Sequence, residues 1–161
     1  FMWQEFATTL NDLNKTYKAL IELGRKKHSA LVLVDMKTVE SLLPAEEKLT
    51  AEIARLEKTR QGILLKLAAT SEKLGPESKM DDILNLAPAG KMREVLQKLY
   101  KMLQATVQEA KELSEGNALL IRAAMDAAAF HLNRIGGATV EPAYGKGGEV
   151  VSHRKNFDYN A

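Results

Sequence analysis

Three histidines, His28, His131 and His153, are the only side chains of this sequence that ordinarily titrate near neutral pH. A histidine does chemistry when a carboxylate orients it or when a metal uses it as a ligand. On helices those arrangements leave Glu-x-x-His or His-Glu-x-x-His spacings. None of the three sits in such a spacing. A phosphotransfer helix would need one of them as a reactive base on an exposed face, and no local pattern supports that. The plainer expectation is that His28 and His131 border a helix seam. Gly145-Lys146-Gly147-Gly148 superficially resembles a phosphate loop. A Walker loop, however, places Gly-Lys-Ser/Thr between a strand and a helix, and here Gly147 follows Lys146 with no strand before it. With no cysteine there is no thiolate nucleophile, thiolate metal site or disulfide. The sequence is therefore read as a non-enzyme without metal or cofactor.

The elements that hold these residues are helices. Of 161 residues, 45% are hydrophobic and 27% charged, and ten glycines and four prolines are few for a turn-rich β or α/β fold. A net charge of +2 gives little attraction to nucleic acid. No apolar run reaches the roughly 18 to 20 residues of a membrane span, and no signal-peptide pattern is seen, which predicts a cytoplasmic protein.

Apolar residues at alternating steps of three and four mark helical seams. The first runs Trp3, Phe6, Leu10, Leu13, Tyr17, Leu20, Gly24, Lys27, Leu31, Val34. The second runs Val39, Leu42, Glu46, Leu49, Ile53, Leu56, Arg60, Ile63, Leu67, Thr70, Leu74, stopping at Gly75-Pro76. Asp35 or Thr38 is its expected N-cap, and Pro44 suggests a true start near 41 to 43, with 35 to 42 a looser turn. The third runs Met92, Leu96, Leu99, Leu103, Thr106, Ala110, Leu113, Asn117, Leu120, Ala124, Ala127, His131 and stops at Gly136-Gly137. The expected fold is all-α: an antiparallel up-down-up bundle of three long helices, about 2–34, 38–74 and 90–135, within a domain 1–135. Residues 75 to 90 read as a connection with one short helical turn inside.

Residues 117 to 135 carry more apolar surface than one seam needs. Beside the third seam runs a second stripe of Ile121, Met125, Ala128, Leu132 and Ile135, and Leu119, Ala123 and Phe130 add a partial third. A helix apolar nearly all round must be covered on more than one side. Two readings compete: the wide end of the bundle core, lying beside Leu31 to Val34, or a groove for a partner's amphipathic helix. The residues expected to bind are Leu120, Ile121, Ala124, Met125, Ala128, Leu132 and Ile135. Residues 136 to 161 hold five of the ten glycines, three of the nine aromatics and balanced charges. This segment is expected to be a flexible tail that orders on a partner.

Taken in order, several segments resemble one family. Leu31-Val32-Leu33-Val34-Asp35, the run from Glu47 to Ile53 and Leu56-Glu57-Lys58-Thr59-Arg60 are similar to the first half of FlgN-type flagellar export chaperones. Asn117-Ala118-Leu119-Leu120 with its apolar continuation, Tyr144-Gly145-Lys146-Gly147 and Asp158-Tyr159-Asn160-Ala161 resemble the second half. Gly116 departs from the pattern where a helix former is expected. The resemblance implies a cytoplasmic chaperone that holds the C-terminal amphipathic helix of the hook-filament junction proteins FlgK and FlgL. It would prevent premature assembly and deliver them to the export gate protein FlhA. It also implies Tyr144 as the gate-docking residue, against the alternative that this aromatic anchors the tail. A self-associating structural bundle, a homodimer through the same stripe, is the competing reading.

Overall fold

The three seams become three long helices and the connection holds a fourth, short one. The computed structural model describes residues 2–74 and 78–136. It comprises α1 (Met2–Val32), α2 (Met36–Ala69), α3 (Met80–Leu84) and α4 (Lys91–Gly136), with no strand among the described residues. The tail expected from residue 136 lies outside the described residues except for Gly136, the last residue of α4.

α1 packs along both α2 and α4. Along α1 and α4 the paired numbers rise together, from Thr106 Oγ1 donating to Asn14 Oδ1 at 2.6 Å to Asn117 Nδ2 donating to the Gly24 carbonyl at 2.9 Å, and the long Arg25 side chain reaches back to Glu109 at 2.7 Å. Along α1 and α2 they run oppositely, with Lys27 on Glu46 at 3.0 Å and Thr9 sharing a groove with Ile63. The main core lies where the seams meet. Phe6, Leu10, Leu13, Tyr17 and Ile21 of α1 pack with Ile53, Leu56, Ile63 and Leu67 of α2 and with Leu96, Tyr100, Leu103 and Ala110 of α4. α3 closes one end with Met80 and Leu84, followed by Ala87. The Arg93 guanidinium holds this connection by donating to the carbonyls of Asn85 at 2.6 Å and Ala87 at 2.7 Å. Gly90 turns the chain into α4 with φ +110°, a left-handed value that a side chain would strain.

Several boundaries differ from expectation. α2 starts at Met36 and runs straight through Pro44, where a looser turn was expected. Proline costs an interior helix one hydrogen bond. Here the first turn is secured upstream: Asp35 accepts from the Thr38 backbone N–H at 3.2 Å and from its hydroxyl at 2.5 Å. Those bonds hold the Asp35 carboxyl below the usual carboxylate range. α2 also ends at Ala69, before Leu74, because the Thr70 hydroxyl takes the Leu67 carbonyl at 2.7 Å and the Ser71 hydroxyl takes the Lys73 N–H at 3.2 Å. Such side chains offer the backbone an alternative to further helix. α4 passes through Gly116 without a break.

Glu57 and Arg60 form a buried ion pair at 2.9 Å one turn apart on α2, near Tyr17. Burial pushes the Glu57 carboxyl above its usual value of 4.5, and Arg60 offsets this only in part. Glu57 Oε1 has no hydrogen-bond partner among the described residues. The folded protein thus holds this proton more tightly than the unfolded chain does. The resulting stability is full below about pH 4.5 and is lost as pH rises through the raised value. Glu57→Gln keeps the neutral form at every pH. Thermal unfolding from pH 4 to 8 should therefore show the variant close to the wild type in acid and increasingly more stable above it. A constant gap would exclude the linkage.

Candidate functional site

The site is set by where α1 stops. Asn117 of α4 lies against Gly24, donating from Nδ2 to its carbonyl, and its Oδ1 accepts from the His28 Nδ1–H at 3.2 Å. A Cβ on Gly24 would meet Leu113 Cδ2 at 2.7 Å, so the bare backbone is what admits this close approach. Beyond this level α1 continues only to Val32, whereas α4 continues to Gly136. At about 1.5 Å per residue, α4 outruns α1 by roughly 20 Å.

The expected binding residues divide at that boundary. Leu120 and Ile121 are half-buried and pack on a small second cluster formed by Ala30, Leu31 and Val39. Ala124 and Met125 are half-buried, and Ala128 is exposed. Leu132 and Ile135 are exposed, Ile135 at 85%. Tyr144 lies outside the described residues. Ala127 and His131, expected on the seam, are instead exposed, and His28 is exposed as well. The reason is the same for the two α4 residues: the helix they would pack against has already ended. Ala129 is the one residue between 122 and 136 that is buried.

Other apolar residues gather at this end without having been singled out as binding residues. Leu119 and Phe130 are exposed on α4, and Val32, Leu33, Val34 and Met36 are exposed around the α1–α2 turn. Phe130 meets the His131 ring edge at 5.8 Å and lies under the Arg134 guanidinium at 5.8 Å. Elsewhere on the described surface, exposed large apolar residues are scattered singly, as Leu65, Val95 and Met102 are. Among the described residues, the exposed large apolar side chains thus concentrate at this end of the bundle. The sequence signal for Phe130 was its place in the partial third stripe. For Val32 and Leu33 it was an aliphatic run lying off the seam that was expected to continue to Val34.

The turn itself is strained. The Val34 N–H donates to the Leu31 carbonyl at 3.0 Å and the Asp35 N–H to the Ala30 carbonyl at 2.8 Å, a Schellman closure of α1. The closure puts Val34 at φ +54°, where glycine is the usual occupant and a β-branched residue is an outlier.

The geometry offers an apolar helix face, and among the described residues no cluster of His, Asp or Glu could hold a metal ion. A model of the FlgN protein family matches residues 2–152. The chain belongs to the FlgN family. FlgN proteins are flagellar chaperones. No curated protein and no solved structure matched the chain. No helix among the described residues of this FlgN-family chain is long and apolar enough to cross a membrane.

Val34→Gly should raise the thermal midpoint of this FlgN-family chain by about 2–4 °C, since relieving a left-handed valine is worth roughly 1 kcal/mol. A lowered midpoint in calorimetry would mean that the valine side chain stabilises the turn by packing.

Proposed function

We propose that this FlgN-family chain is a cytoplasmic chaperone of flagellar type III export. It holds the C-terminal amphipathic helix of the junction proteins FlgK and FlgL, keeps them from assembling early and hands them to the export gate protein FlhA. The observation that carries this reading is the apolar end of α4, which extends past its cover on α1. The opposed pairing of α1 with α2 and its parallel pairing with α4 support an up-down-up order of the long helices, with the substrate surface at one end.

In this mechanism the client's apolar stripe takes the place of water on Leu132, Ile135 and the face that continues to Leu120. Ile121, Ala124, Met125 and Ala128 complete the contact. Burying five or six such side chains contributes several kcal/mol at about 25 cal/mol per Å², offset by the cost of ordering the client. Micromolar to nanomolar affinity suits a chaperone that must release its cargo. Residues 136–161 close over the bound helix, and Tyr144 docks the gate.

The proposal is tested by titrating a peptide of the junction protein's C-terminal helix into the full chain. Leu132→Asp and Ile135→Asp should each weaken binding by about tenfold or more without loss of helicity, because both side chains are exposed in the free chain. Unchanged binding in both variants would reject the α4 end as the client surface. Sedimentation over a range of concentrations separates the second occupant, another copy of the chain: a tight dimer that these substitutions dissolve would favour the structural reading. Removal of residues 136–161 should weaken capture while the helical signal persists, and full capture by the truncated chain would refute the tail's role.

A further inference from the structure

We infer that the described bundle consists of two separately opening units, and that the distal one, residues 28–45 with 117–136, opens while the rest stays folded. The buried apolar residues support this division. They form two clusters: a large one running from Phe6 to Ile21 of α1 and its partners, and a small one of Ala30, Leu31 and Val39 flanked by Leu120 and Ile121.

A polar layer lies between the clusters. The buried Lys27 ammonium meets Glu46 at 3.0 Å, and Asn117, also buried, bonds the Gly24 carbonyl. A cavity of about 40 Å³ at the same level is bordered by Lys27, Glu46, Thr50, Ser114 and Asn117 on its polar side and by Leu20, Ile21, Ala110 and Leu113 of the main unit on the other. It has polar partners and room enough for water. Apolar packing therefore does not run unbroken from one unit to the other. Beyond the layer the distal unit has few buried apolar side chains, a strained Val34 and the exposed turn residues Val32, Leu33 and Met36. Few buried contacts and stored strain are what set a region at the low-stability end of a fold. The Lys27–Glu46 pair is the boundary: it holds register across α1 and α2 but adds little net stability, as buried pairs often do. This division concerns the free chain, so it stands or falls independently of the client reading.

Amide hydrogen exchange on the full chain without client tests it. The amides of Leu31, Val39, Leu120 and Ile121 should exchange at least about tenfold faster than those of Leu13, Tyr17, Ile53 and Leu103. Val39→Ala should speed the first group together and leave the second unchanged, a concerted response that fraying at helix ends would not give. Lys27→Met combined with Glu46→Leu, which makes the layer apolar, should slow the distal group by about tenfold. Equal protection of the two groups in the wild type, or a Val39→Ala effect spread evenly over both, overturns the division. Unchanged distal exchange in the double variant overturns the boundary role of the ion pair.

Discussion

A helix can bury its apolar face only as far as its neighbour reaches, and α1 is the neighbour on which both α2 and α4 depend. Its last residue, Val32, therefore decides where the bundle has a core and where α4 stands uncovered. That endpoint is doubly secured. The Asp35 N–H closes α1 on the Ala30 carbonyl, while the Asp35 carboxylate caps α2 at Thr38. Moving the turn by one residue would undo both ends at once. The apolar overhang is thus a consequence of two helix lengths and one aspartate.

Polar groups do a different job along the same interfaces. Leucine-rich seams tolerate sliding by a turn, because one apolar step resembles the next. Hydrogen bonds between unlike partners do not. Asn14 with Thr106 and Asn117 with Gly24 fix α4 on α1, and Lys27 with Glu46 fixes α2 on α1. Glu57 and Arg60 pair within α2, so they specify nothing across the interface by themselves. What they impose is a buried charge pair that leaves one carboxylate oxygen unsatisfied within the core. The long seam interactions supply stability, and the few polar ones supply register.

The seams were legible because their spacing follows directly from helical geometry: Phe6, Leu10, Leu13 and Tyr17 were expected inside and are inside. The excess of apolar surface at 117 to 135 was legible for the same reason. Less visible was anything set by competition at a boundary. Pro44 argued for a late start to α2, but a cap nine residues earlier outweighs one missing backbone donor. Thr70 and Ser71 end that helix through hydroxyls that would be neutral elsewhere. The third seam took Leu99 at one turn, yet Tyr100, four after Leu96 and three before Leu103, is the more deeply buried there, a choice between two residues that both fit the period. Ala127 and His131 fit the period perfectly and are nonetheless exposed, since periodicity describes a face and not the length of its partner.

Under the proposed function, a surface that binds and releases a client does not gain from being rigid. If the distal end opens in the free chain, the apparent affinity for any occupant falls by the fraction of molecules in the competent form. Bound client then stabilises that form by mass action, and its departure lets the end loosen again. Val34 fits this logic better than a glycine would. A glycine at φ +54° would close the turn without strain but would remove an aliphatic side chain from the exposed rim. Keeping the valine costs local stability at the one place where loss of order leaves the main core, from Phe6 to Ile21 and its partners, untouched. The separation of the two apolar clusters limits the reach of that strain: beyond the Lys27–Glu46 layer it falls within the unit inferred to open.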